Sequence, residues 1–374
     1  MATDARRAPA FEYSPQLDGL RAVSVAAVAY SHWLPAWQFG VPLGAGVHLF
    51  FVLSGFLITR ILLSIRDAPD RVASVARFYA RRALRLFPAF YLVLGLAWQF
   101  DVPLVRDTWP WHAAYLSNLR IATDARWMGH VSHFWSLAVE EQFYLVWPWL
   151  VVWTPRRWLA PLLGAALLAG PLARMAAAST GLGEPFWALV PAGSADSLAA
   201  GALVAWTSWR ASRPEDGSSG AGPCDGCSDG SRVWPRPSWA AIAAAAWVAL
   251  ALGDAWGRPA PPPLAVWRQV LQAVVFAWVV RRAVGGFGGA AGRVLAHPWT
   301  VFVGRVSYGV YLIHAFVPIA AYAIADAAGV AFGAAPSAVR AVTFAAMTVV
   351  LASAMWYLVE RPVLALKRRV FSIG

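Results

Sequence analysis

Lysine is almost missing from this 374-residue chain: Lys367 stands alone among 31 basic residues. Charge of either sign is scarce, at 13% of residues, where a soluble domain carries roughly 25%. With 59% hydrophobic residues, that scarcity excludes an ordinary water-soluble domain and makes lipid the expected solvent. Cysteine is limited to Cys224 and Cys227. One C-x-x-C supplies only two of the four ligands of a structural zinc site, so no metal is expected. The N-terminal MATDARRAPAFEYSPQ lacks an apolar run ending in a small-residue cleavage site, so the first apolar segment is expected to stay in the membrane. The net charge of +12 does not point to nucleic acid, because the arginines cluster between apolar segments, where membrane topology accounts for them. Arginine standing in for lysine suits a GC-rich bacterial genome.

What recurs instead is apolar sequence in lengths near the roughly 20 residues that cross a bilayer. Ten segments are read at 17–35, 44–64, 84–100, 133–153, 158–177, 194–209, 238–253, 264–283, 301–326 and 338–364. The fold class is therefore an all-α polytopic membrane protein of about ten transmembrane helices. Arginine and lysine fall mainly in alternate loops, at Arg6, Arg7, Arg66 to Arg85, Arg156, Arg157, Arg210 to Arg236, Arg281 to Arg293 and Lys367 to Arg369. The bias, roughly 20 to 7, puts both termini in the cytoplasm. The domain reading is a cytoplasmic segment 1–16, a membrane domain 17–366 and a tail 367–374. Within the membrane domain, residues 210–237 form a polar cytoplasmic loop too poor in apolar residues to fold alone. The opposite loop, 101–132, holds Trp109, Trp111, Tyr115, Trp127 and His130, a content suited to packing at the interface and capping an external site.

Ionisable side chains inside such segments cost about 2.5–3.5 kcal/mol each on insertion scales, so each invites a functional reading. LDGLRAVSVAAVAYSHW places Asp18 and Arg21 at the cytoplasmic end of the first segment and His32 in its outer half, where a neutral imidazole can act as a general base. Arg21 and His32 are about 16 Å apart along a helix and cannot touch. In HFWSLAVEEQFYLVWP, Glu140 lies two turns below His133, is placed at the depth of His32, and is expected to orient the imidazole; Glu141 points elsewhere. Ser307, Tyr311 and His314 share one helical face, and Asp196 either joins them or caps its own helix. In RFYARRALRLFP, Arg77, Arg81 and Arg85, with Arg82, form a basic ridge that suits either phosphates or anionic lipid.

Six stretches in order, LDGLRAVSVAAVAYSH, GVHLFFVLSGFLITR, RFYARRALRLFP, WSLAVEEQFYLVWP, SYGVYLIH and YLVERP, resemble the acyltransferase-3 family across nearly the whole chain. The resemblance implies that Arg21 and His32 are the family's spaced arginine and histidine, the histidine being essential for acyl transfer. It makes Ser54, Arg82 and Arg85 donor-binding or site-shaping residues, and Glu140 the family's usual acid. Asp196, Tyr311 and His314 remain acceptor-side candidates. Two departures stand out: His48 occupies a position that is commonly aspartate in the family, and the arginine often found just before Asp196 is missing.

The expected activity is transfer of an acyl group, with acetyl expected, from acyl-CoA to a hydroxyl of a carbohydrate or glycosylated acceptor, His32 serving as base or acyl carrier. No bound cofactor is invoked; acyl-CoA is the donor substrate, and acceptor, membrane lipid and donor are the partners. The location is the bacterial inner membrane. The alternative is a proton-coupled exporter of a glycan or lipid, against which stands the lack of an internal repeat between the halves.

Overall fold

The computed structural model describes residues 13–35, 41–181, 186–190, 192–212, 237–258 and 261–365. Arg6, Arg7, Cys224, Cys227, residues 213–236 of the polar loop and Lys367 to Arg369 lie outside these. All regular structure among the described residues is helical. In chain order the helices are α1 (Pro15–Trp33), α2 (Gly46–Ile65), α3 (Arg71–Gln99), α4 (Val105–Ala113), α5 (Ser117–Asp124), α6 (Phe134–Trp153), α7 (Leu159–Ser179), α8 (Ala195–Ala211), α9 (Pro237–Ala255), α10 (Pro262–Gly285), α11 (Gly289–Leu295), α12 (Pro298–Arg305), α13 (Ser307–Ile313), α14 (Val317–Ala327) and α15 (Ser337–Met355), the last followed by a π-helical turn Trp356–Glu360.

Among the described residues, five stretches are long and apolar enough to cross a membrane: Leu43–Ile65, Arg156–Ser179, Ser238–Ala255, Leu264–Gly285 and Ser337–Ala365. A sixth follows if the bent pair α13 and α14 is one span. The ten expected segments all contain helix, but α1, α3, α6 and α8 fall outside that set. Their polar content explains it: Asp18, Arg21 and His32 in α1, Arg82 and Arg85 in α3, Glu140 to Gln142 in α6, and a length of 17 residues in α8. These four carry most of the candidate site residues. The third segment also begins earlier than expected, since the basic ridge and the span after it form the single 29-residue helix α3.

The centre of the bundle is the contact of α2 with α8. Its closeness has a sequence cause. A Cβ on Gly55 would lie 1.9 Å from the Leu198 carbonyl oxygen, and one on Gly201 would lie 1.9 Å from that of Val52. Each glycine thus receives the other helix's backbone, as small residues do in membrane bundles. Around this seam Val52, Phe56 and Leu62 of α2, Ala202 and Val204 of α8 and Val280 of α10 are wholly buried.

The ninth expected segment, 301–326, is not one rod. It divides into α12, α13 and α14, with a 63° bend between the last two. Pro318, in the first turn of α14, has no N–H for the carbonyl of His314 four residues earlier. Carbonyls around the break accept from side chains instead. Trp33 Nε1 donates to His314 O at 2.8 Å, His314 Nδ1 lies 2.7 Å from Tyr311 O, His133 Nε2 3.2 Å from Leu312 O, and His130 Nδ1 3.1 Å from Ala315 O. Broken backbone is tolerated at membrane depth only where such partners exist.

Candidate active site

Three histidines meet at the broken helix. His32, in the last turn of α1, sets Nδ1 2.8 Å from His314 Nε2, with the rings stacked at a 12° interplanar angle. His133, just before α6, packs against His314 with ring centroids 4.9 Å apart. The bonding fixes the tautomers of the neutral rings. A carbonyl only accepts, so His314 Nδ1 carries the proton donated to Tyr311 O, and its Nε2 holds a lone pair. His32 Nδ1 must then carry the proton that fills this lone pair, which leaves His32 Nε2 unprotonated. His32 is exposed, whereas His314 and His133 are buried.

Glu140 does not orient His32 in this arrangement. It accepts from Ser54 Oγ at 2.5 Å and from Tyr144 Oη at 3.4 Å. The two do not share a depth: His32, at the end of α1, and His133 both pack on His314, while Glu140 lies seven residues, about 10 Å, beyond His133 along α6. Glu141 meets Arg82 at 2.8 Å, and the Arg82 guanidinium carbon stacks 3.3 Å from the centroid of Tyr144.

These groups line a cavity of about 350 Å³ between α1, α2, α3, α6 and α13. Its lining runs from Tyr13, Asp18, Arg21, Arg60 and Arg85, toward the start of α1 and the end of α2, through Ser54, Arg82, Glu140 and Tyr144 to Val47, Phe50, Ser136 and Tyr311, toward the starts of α2 and α6. Arg21 pairs with Asp18 at 3.2 Å. Arg85 is exposed to the cavity and, among the described residues, makes no hydrogen bond or ion pair. Of the basic ridge, Arg82 and Arg85 turn into this cavity; Arg77 bonds Ser74 at 3.1 Å.

The cavity stops one side-chain layer short of the histidines. Ser136 Oγ and Tyr311 Oη are 2.5 Å apart, and Tyr311 also donates to the His133 carbonyl at 3.0 Å. Tyr311 is therefore the link between the cavity and the histidine cluster.

Asp196 is not part of either group. It forms a buried pair with Arg174 of α7, at 2.8 and 3.2 Å, while Arg174 also donates to Val266 O and Gly193 O. The arginine missing before Asp196 is thus supplied from another helix, and the assembly ties α7, α8 and α10 together. His133, Ser136 and Trp33 were not read from the sequence as site residues. The available signals were the distance of His133 from Glu140 along α6 and the helix-breaking Pro318.

The profile of the acyltransferase domain matches residues 14–357. The chain belongs to the acyltransferase-3 family. Acyltransferase-3 relatives include the peptidoglycan O-acetyltransferase OatA of Listeria monocytogenes, 37% identical over 158 residues, covering 37% of this chain and 24% of the relative. The putative peptidoglycan O-acetyltransferase YrhL of Bacillus subtilis is 38% identical over 157 residues, covering 37% and 24%. A putative O-acetyltransferase of Staphylococcus aureus is 37% identical over 153 residues, covering 37% and 25%. The alignments therefore span about a quarter of these curated acyltransferase-3 relatives. No solved structure matches. Membership of this family, together with its apolar helices, supports a multi-pass membrane acyltransferase and does not favour the exporter reading.

Proposed function

We propose that this protein is an O-acyltransferase of the bacterial inner membrane. It takes an acyl group, acetyl in the simplest case, from acyl-CoA in the arginine-rich cavity and places it on a hydroxyl of an envelope carbohydrate at the histidine end of the bundle. Peptidoglycan is the favoured acceptor class, by analogy with the names of the relatives. Ten spans with both termini cytoplasmic suit this reading, since they would turn the arginine-bearing end of the cavity to the side where coenzyme A is available.

The observation that carries the proposal is the 2.8 Å contact of an exposed His32 with His314, whose other ring nitrogen faces the Tyr311 carbonyl, a chain of contacts that leaves His32 Nε2 as the nitrogen without a proton. Nε2 takes the proton of the acceptor hydroxyl as its oxygen attacks the thioester carbon. The C–S bond breaks, and the same proton passes to the leaving coenzyme A thiolate. Between these two transfers His314 Nε2 accepts from His32 Nδ1–H and shares the positive charge of the transient imidazolium. Arg85 and Arg21 meet the donor's phosphates, because guanidinium forks match phosphate oxygens. Reaching His32 requires the layer of Phe50, Ser136 and Tyr311 to part around the acyl arm.

The test is release of free coenzyme A from acetyl-CoA by protein in lipid nanodiscs with a glycan acceptor. Acceptor-stimulated release that disappears in His32→Ala supports the proposal. A folded wild type that releases no coenzyme A from acetyl or longer acyl donors refutes it.

A further inference from the structure

The last long helix ends in an irregularity. After α15 the backbone takes one π-helical turn, Trp356–Glu360, within the YLVERP stretch. Such turns spend more residues than an α-helical turn and are frequent at functional sites. This one packs against α3 and ends on Glu360, which is only 2% exposed. Among the described residues Glu360 makes no hydrogen bond or ion pair, and its Oε1 atom is buried without a partner. A carboxylate so placed keeps its charge only beside a compensating cation. Arg85 of α3 is that cation: its charge acts on Glu360, and Glu360 and Asp18 are the acids that act on Arg85. Asp18 is already engaged by Arg21 and Tyr13, at 3.2 and 2.5 Å. Arg21 and Arg82 repel the Arg85 guanidinium, so Glu360 is left as the attraction that holds it. Next to Arg85, the Leu86 carbonyl accepts from Tyr308 of α13 at 2.9 Å, which fixes this part of α3 on the cavity wall. The other arginines show what the arrangement achieves. Arg21 spends N–H groups on Asp18 and Arg82 on Glu141, whereas Arg85 touches no acid. Glu360 draws Arg85 without occupying its fork, and the N–H groups stay free for a ligand's oxygens.

We infer that Glu360 is the positioning residue of Arg85, holding the guanidinium at the cavity wall with its fork open to a phosphate of the donor. That the anion is acyl-CoA rests on the acyltransferase reading; the coupling of Glu360 to Arg85 does not. The sign of the effect is diagnostic. Charge alone says that removing a carboxylate near an anion site tightens anion binding. A positioning role says that it weakens.

The experiment measures binding of coenzyme A, which has no acyl group to transfer, by calorimetry on protein in nanodiscs. The variants are Glu360→Gln, Glu360→Met, Arg85→Met and Glu360→Gln combined with Arg85→Met. Neither Glu360 variant breaks a hydrogen bond, so their thermal midpoints should not fall. Each should raise the Kd about tenfold. The Km for acetyl-CoA should rise by a similar factor, with kcat lowered by less than about threefold. In the Arg85→Met background, Glu360→Gln should change the Kd by less than about twofold, because the side chain it positions is gone. Unchanged or tighter binding in both Glu360 variants overturns the inference. So does an equal loss in both backgrounds, the mark of a structural role. Either result in a protein that still transfers acyl groups leaves the proposed function standing. Coupling of Glu360 to Arg85 in a protein that transfers none keeps the inference and discards the acyltransferase reading.

Discussion

Replacing His314 tests the tautomer argument most directly, because three substitutions at one position should separate. His314→Leu removes the acceptor for His32 Nδ1–H and leaves the imidazole free to turn or change tautomer. General-base catalysis contributes about 10²–10⁴ in rate, or roughly 2.7–5.5 kcal/mol of barrier. His314→Leu should forfeit most of it in kcat, with donor Km changed by less than about threefold. His314→Lys should be as damaging, since an ammonium only donates and would force the His32 proton onto Nε2. His314→Gln should retain much of the activity, because one amide can accept from His32 through oxygen and donate to the Tyr311 carbonyl through nitrogen. The assay is coenzyme A release with a glycan acceptor in nanodiscs, paired with ¹⁵N NMR of labelled histidine to assign the proton on His32. Activity in His314→Leu above about a third of wild type, or an Nε2–H tautomer for His32 in the wild type, would refute the reasoning.

Arg85→Met should raise the Km for acyl-CoA about 10- to 100-fold, the worth of a charge-assisted hydrogen bond of roughly 1.5–3 kcal/mol. The salt dependence of that Km should weaken too. Arg174→Met should destabilise the bundle by about 3–5 kcal/mol by leaving Asp196 buried and unpaired, and Arg174→Met with Asp196→Leu should recover most of the loss; unfolding of the single and double variants in mixed micelles checks both. His112 of α4 is buried between Thr108 and Ser117, and burial pushes its imidazole down to about 4. Because the unfolded segment binds its proton near 6.5, stability is full above that pH and falls by up to about 3 kcal/mol as pH drops from 6.5 to 4. Hydrogen exchange across α4 and α5 should speed up over that window, and His112→Asn should flatten the change.

The sequence made the ten helical segments legible because apolar runs of bilayer length leave little choice of secondary structure. It did not give the partners of the site residues. Placing Glu140 beside His32 required the depth of each helix end, and the sequence carries no ruler for depth: α1 extends just far enough that His32 meets His314 at the helix break. The segment 301–326 reads as continuous through Pro318, although that proline cannot donate to the His314 carbonyl within the helix and makes a break the simpler outcome. His314 itself was recognisable as a polar residue on the face of Tyr311. Its role became visible only once α1 was packed against the break. The pairing of Asp196 is hidden for a related reason, since its partner Arg174 comes from a different helix.

The interlocked glycines of α2 and α8 bear on how traffic crosses this protein. Along α2, His48 lines a second pocket while Phe50, Ser54 and Ile61 line the arginine-rich cavity, so one helix forms part of the wall of both. With backbone oxygens filling the space of two missing methyl groups, α2 has no slack to rock against α8. The partition between the compartments is closely packed. Two substrates could then approach from opposite ends at the same time, each keeping its own doorway, and only the acyl group need pass between them.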